Sequence, residues 1–249
     1  LAAHTAPSCI FHLFAAYLAL RSKNQPQSLR HTSKQTRICD NHNPMPSPNP
    51  TPATPPRATW GFVYAHPAHW LGLGFGSGLA PKAPGTAGTL CGWVLFATAQ
   101  YLLPAHALAG ATGGVLVGAS IALGWWACTV SARNLHLPDP GCIVWDEIAA
   151  FWLVLWLLAT QTPQPFSPAH WYWQIAAFAL FRYFDAAKPQ PVRWADTVFK
   201  GAGWRGGWGI MFDDLVAAAC TVLALAALRL GAALLGYPSP RPAQRHPAP

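Results

Sequence analysis

Two pairs of adjacent carboxylates mark where this sequence could do chemistry. WDEIAAFWL at 145–153 carries Asp146 and Glu147, and FDDLVAAAC at 212–220 carries Asp213 and Asp214. Both have one design, an aromatic residue, two acids, then an apolar run, and Asp185 closes a third apolar run. A single acid in a first helical turn is accounted for by the helix macrodipole. Two adjacent acids add nothing to that capping, and the design occurs twice. In a chain with only 10% charged residues, clustered carboxylates repel one another unless a cation sits among them. Hard oxygen ligands suit Mg²⁺, so the residues point to a metal site.

A second ingredient is cationic. In FALFRYFDAAKPQPVRWAD at 178–196, Arg182 and Asp185 lie three apart on one helical face. Lys188 follows three residues later, just before Pro189 ends the helix. Cations for a phosphate beside carboxylates for a metal are the two requirements of phosphoryl chemistry. LGLGFGSGLAPKAPGTAGT at 71–89 adds backbone N–H groups, the hydroxyls of Ser77, Thr86 and Thr89, and Lys82, ahead of a helix. Such a loop can cradle an anion. Its glycines fit neither G-x-G-x-x-G nor G-x-x-x-x-G-K-[ST], which excludes dinucleotide and Walker-type nucleotide readings. KGAGWRGGWGIM at 200–211 reads as a second glycine loop leading into Asp213.

The elements that must position these residues follow from composition. The chain has 249 residues and is 52% apolar, a balance that suits a membrane protein. Apolar stretches over 88–104, 107–130, 148–161, 171–184 and 215–236 predict an all-α, polytopic membrane bundle of about four to five helices. Two of them, 148–161 and 171–184, are short for a full crossing. The connections alternate in charge. Residues 57–87, 131–147 and 185–214 hold Arg57, Lys82, Arg133, Lys188, Arg193, Lys200 and Arg205, whereas 104–106 and 162–170 hold no Lys or Arg. The positive-inside rule makes the first set cytoplasmic. Seven of the eight acids fall on that side or at that end of a segment, giving an interfacial site that faces the cytoplasm. Residues 1–59 are expected to be a disordered or artefactual extension, 60–236 the membrane domain and 237–249 a disordered tail, because the ends are polar and Pro-rich.

The motifs GFGSGLAPKAPGTAGTL, DPGCIVWDEI, FRYFDAAKPQPVRWAD and GGWGIMFDDLVA resemble, in order and spacing, those of the phosphatidylglycerophosphatase A family, over roughly residues 65–230. The resemblance implies a bacterial inner-membrane, multi-pass phosphatase that uses Mg²⁺. It implies removal of the terminal phosphate of phosphatidylglycerophosphate, a membrane phospholipid, to give phosphatidylglycerol. Carried over, it makes Asp146, Glu147, Asp185, Asp213 and Asp214 the metal-dependent centre, with Asp146, Asp185, Asp213 and Asp214 in catalytic roles. Asp139 and Asp196 become further members or supporting groups. Gly76, Ser77, Lys82, Thr86, Arg182, Lys188 and Arg193 become contacts to the head group and phosphate. Water and an aspartate both stand as candidate nucleophiles. This sequence departs from the family pattern at Ala149 or Ala150 and at Ala218, where glycine is usual, and in a longer linker around 197–205.

Two other classes compete. A transporter or channel would carry carboxylates at mid-segment depth and on both faces, yet here the acids gather at one interface, and only Arg229 is buried along a segment, Arg182 standing at the end of the fourth. A lipid phosphotransferase would carry D-G-x-x-A-R…G…D…D, which is absent from the sequence. The net charge of +8 comes largely from the extension and tail, so no nucleic-acid partner is expected. Six cysteines form no C-x-x-C pair, and the histidines have no partners at ligand spacing.

Overall fold

A computed structural model describes residues 58–104, 107–161 and 168–235. The extension expected over 1–59 lies, up to residue 57, outside the described residues, as does the tail at 237–249. Every regular element among the described residues is helical. In chain order they are α1 (Trp60–Ala65), α2 (Pro67–Gly72), a 3-10 turn (Gly74–Leu79), α3 (Pro84–Leu102), α4 (Ala111–Asn134), α5 (Trp145–Gln161), α6 (Pro168–Ala187), α7 (Val192–Val198) and α8 (Gly203–Leu234).

Helix ends follow local chemistry. Thr59 accepts from the Phe62 N–H to start α1, and the His66 ring accepts from the Ala68 N–H ahead of Pro67 to start α2. Pro84 takes the first turn of α3, where a missing N–H costs nothing. Lys188, in the left-handed region at φ 43°, and Pro189 stop α6.

At the centre stands α5, in contact with α3, α4, α6 and α8. Most of its apolar residues are enclosed by these neighbours, and Trp152, Leu153, Trp156 and Leu157 form a half-buried face. Ile148, Ala149, Ala150, Phe151 and Val154 are completely buried. The run that reads in sequence as lipid-facing is therefore the core. It is also longer than its apolar part, since Trp145, Asp146 and Glu147 belong to its first turn. In the same way α6 takes in Arg182 and Asp185.

α3 packs against α5 along Gly85, Gly88 and Gly92, which share one face at helical spacing. A β-carbon at Gly88 would collide with Val144, and one at Gly92 would crowd Ile148. Small residues let two backbones approach closely within a bilayer. Trp152 uses that proximity to donate its indole N–H to the Gly92 carbonyl at 2.7 Å.

Two helices, α4 and α8, are long and apolar enough to cross a membrane. Both turn large apolar side chains outward, Val115, Leu116 and Leu123 on α4 and Leu223 and Leu230 on α8. Near its far end Arg229 of α8 donates to Gln161 at 2.6 Å and lies 4.6 Å above the Trp173 ring. The expected glycine loop at 200–211 is helical from Gly203 onward. Its glycines answer to packing rather than to a turn: a β-carbon at Gly207 would strike Thr129, and one at Gly209 would strike the Phe199 carbonyl. Asp213 and Asp214 consequently sit well inside α8 instead of at its start.

Phe151, fully buried against Phe178 and Phe181, tests the central position of α5. Phe151→Ala should destabilise the purified protein by about 3–5 kcal/mol, seen as a lowered thermal midpoint in mild detergent. Leu116→Ala, on the outward face of α4, should stay within about 0.5 kcal/mol of the parent.

Candidate active site

Four helix segments converge on one cavity of about 250 Å³. The first turn of α5 supplies Asp146 and Glu147, the end of α6 and the turn after it supply Asp185 and Lys188, α7 supplies Asp196, and α8 supplies Asp213 and Asp214. Asp139 completes the wall from the α4–α5 connection. All seven acids of the described residues thus line a single space, although they span 76 positions of sequence from 139 to 214.

Cations divide six of these seven acids, all but Asp139, into two groups. Arg182 pairs with Asp185 at 2.6 Å, stands 3.9 Å from Glu147 and donates to the Thr89 hydroxyl at 3.3 Å. Lys188 donates to both Asp196 and Asp213, each at 2.6 Å. Lys200 reaches the other oxygen of Asp196 at 3.0 Å. Partial desolvation alone would lower Lys188, but the two carboxylates outweigh it and hold the ammonium well above its ordinary value. Burial would raise Asp196, and the bonds from Lys188 and Lys200 reverse that and keep its carboxyl below the ordinary range.

The other group is Asp146, Glu147 and Asp214. One carboxylate oxygen from each lies within 4.8 Å of the others. Asp146 is 8% exposed and Asp214 3%, and Asp146 Oδ1 and Glu147 Oε2 are buried with no hydrogen-bond partner. Buried carboxylate oxygens without donors are costly unless a cation meets them. The donor set, all oxygen and all acidic, fits Mg²⁺. The first turn of α3 closes over this group, since a β-carbon at Gly85 would collide with Glu147 Oε1. Thr89, whose hydroxyl also donates to the Gly85 carbonyl at 2.9 Å, fixes that turn.

Of the residues expected at the phosphate, Lys188 lines the cavity and Arg182 braces its wall. Gly76, Ser77, Lys82, Thr86 and Arg193 are not among the cavity-lining residues. Gly76 sits against the Trp60 ring, and the Ser77 hydroxyl is spent on the Gly74 carbonyl at 2.8 Å. Lys82 and Arg193 are exposed, and Thr86 is half-buried in the first turn of α3. In sequence Gly85 and Lys200 have no assigned role at the site, and Thr89, read there as part of an anion-cradling loop, instead accepts from Arg182. Their spacing held a signal, because Thr89 follows Gly85 by one helical turn and Lys200 follows Asp196 by the same step.

A profile of the family described as Phosphatidylglycerophosphatase A matches residues 70–229. The Escherichia coli K12 protein of that name is 36% identical over 156 residues, covering 61% of this chain and 78% of its own. The Haemophilus influenzae protein of that name is 35% identical over 164 residues, covering 66% and 90%. A Bacteroides thetaiotaomicron protein, named as a candidate phosphatidylinositol-3-phosphatase, is 37% identical over 160 residues, covering 64% and 91%. No solved structure matches the chain. The profile spans every carboxylate of the cavity together with Arg182, Lys188 and Lys200, so the sequence match and the converged charges are the same residues: the chain belongs to the phosphatidylglycerophosphatase A family.

Proposed function

We propose that this chain hydrolyses the terminal phosphate monoester of phosphatidylglycerophosphate, in a Mg²⁺-dependent reaction that releases inorganic phosphate and leaves phosphatidylglycerol in the membrane. Family membership makes it a phosphatase, a phosphoric monoester hydrolase. The observation that carries the metal assignment is the buried trio Asp146, Glu147 and Asp214, two of whose oxygens have no donor. These three residues would hold the ion. When bound, Mg²⁺ supplies electrostatic stabilisation of the phosphate oxygens.

The chain's own groups do the rest. Asp213, fixed by the 2.6 Å bond from Lys188, faces the cavity as the base that takes a proton from an attacking water. Oxygen of that water forms the new bond to phosphorus, the bond to the glycerol oxygen breaks, and a proton returns to that oxygen. Arg182, tied by Asp185 and Thr89, keeps a fixed positive charge beside the reacting phosphate and balances Glu147.

The names of the relatives share a chemical theme. Phosphatidylglycerophosphate and a phosphatidylinositol 3-phosphate both join diacylglycerol to a polyol by a phosphodiester and carry a terminal monoester on that polyol. We therefore place the substrate in this class of two-phosphate lipids. The basic connections put the cavity on the cytoplasmic side of a bacterial inner membrane, with the chain crossing it several times. A cysteine introduced at the exposed Thr197 should then react with an impermeant maleimide in inside-out vesicles only. Labelling in right-side-out vesicles instead would reverse the topology.

Two assays on detergent-solubilised protein address the chemistry. EDTA should abolish phosphate release from phosphatidylglycerophosphate and added Mg²⁺ should restore it; release that survives chelation refutes the metal assignment. Asp213→Asn should lower kcat by about 10²–10⁴-fold, the usual worth of a general base, and wild-type turnover in that variant would remove Asp213 from the mechanism.

A further inference from the structure

The cavity carries a line of alternating charges. Asp213 bonds Lys188, Lys188 bonds Asp196, and Asp196 bonds Lys200. Side-chain exposure is lowest at Asp213, 12%, intermediate at Lys188 and Asp196, 33% and 24%, and highest at Lys200, 65%. Lys200 therefore stands at the mouth and Asp213 toward the floor. The two ammonium groups are separated by two hydrogen bonds and one carboxylate.

Donor capacity distinguishes the cations. Two of the three N–H groups of Lys188 are committed at 2.6 Å, and Arg182 is only 12% exposed and engaged by Asp185, Glu147 and Thr89. Arg193 and Arg205 do not line the cavity. Lys200 alone, among the described cations lining it, combines high exposure with a single ion-pair partner. An anion entering from the mouth of a space walled by seven carboxylates meets attraction first at such a group.

Aromatic residues mark what lies beside the mouth. Phe199, next to Lys200, lines the cavity and packs edge-on against Phe212 at 5.0 Å. Trp194, 55% exposed, packs edge-on against the same Phe212 at 6.2 Å, and Trp204, 51% exposed and four residues beyond Lys200, packs edge-on against Trp125. Exposed tryptophans with neighbouring basic side chains settle at the head-group layer of a bilayer. That is the depth at which a phospholipid keeps its phosphodiester, while a head group reaching further into the cavity brings its terminal monoester toward the floor.

We propose that Lys200 binds the phosphodiester of the lipid and thereby selects head groups that carry two phosphates, the floor of the cavity taking the terminal one. Asp196 is the positioning residue: one oxygen orients Lys200 and the other holds Lys188. The inference rests on the substrate class proposed above and adds the residue that recognises it.

Binding tests it without turnover. The full chain in dodecylmaltoside with Mg²⁺ is titrated by tryptophan fluorescence with dihexanoyl phosphatidylglycerol, which has the diester but no monoester, and separately with inorganic phosphate. Lys200→Gln should weaken phosphatidylglycerol binding about tenfold, the worth of one charge-assisted hydrogen bond, and leave inorganic phosphate within about twofold. Lys200→Arg should retain most of the affinity, and Asp196→Asn should weaken phosphatidylglycerol in the same direction. An unchanged phosphatidylglycerol affinity in Lys200→Gln, or an equal loss for both ligands, overturns the proposal. A chain that binds the diester through Lys200 yet releases no phosphate would instead overturn the phosphatase reading.

Discussion

Everything in this molecule answers to one electrostatic constraint: seven carboxylates share a space of about 250 Å³ inside a bundle whose remaining surface is largely apolar. At low effective dielectric, like charges this close cannot all persist without compensation. The chain compensates part of them itself. Arg182 takes Asp185, Lys188 bridges Asp196 and Asp213, and Lys200 completes Asp196. Asp146, Glu147 and Asp214 receive only a distant guanidinium, 3.9 Å from Glu147. The side chains leave the compensation unfinished where an ion of high charge density would finish it.

Such a cluster is tolerable only on a scaffold that cannot relax away from it. The central helix α5 is held by α3, α4, α6 and α8, and α3 approaches it through Gly85, Gly88 and Gly92 with no β-carbon between. That contact does two things at once. It supplies packing in the interior, and at the end of the helix it presses the Gly85 turn onto Glu147. Core and site are continuous along one interface, so the geometry of the carboxylates is inherited from the packing beneath them.

Much of this was legible in the sequence because charge is scarce there. Asp146, Glu147, Asp213 and Asp214 stood out against apolar neighbours, and the basic connections sorted the segments. Reading failed where one residue type serves two purposes. The glycines at 206–209 look like a loop, yet they are the small surface that lets α8 meet Thr129 and Phe199. Ile148, Phe151, Val154 and Leu155 of α5 look like lipid contacts, yet they are enclosed by neighbouring helices, since hydrophobic pattern reports burial without saying by what. Ser77 and Lys82 offer phosphate-binding groups by type, but the fold spends or displaces them. The roles of Gly85, Thr89 and Lys200 were hidden because they depend on partners roughly 60, 90 and 4 residues away, and only the last distance is a local pattern.

The length of α8 ties the site to its surroundings in another way. From Asp214 to Leu234 the helix rises about 30 Å, which is the thickness of a bilayer's hydrocarbon core. Arg229, lodged on Gln161 and the Trp173 ring, fixes the far end of that stretch. On the proposed reading, in which α8 crosses the bilayer, the helix would act as a depth gauge. Reach into the membrane is set by a count of residues, and a bilayer much thicker or thinner than the gauge would shift the carboxylates vertically against the phosphates they address. Lipid thickness becomes, through one helix, a variable of the active site.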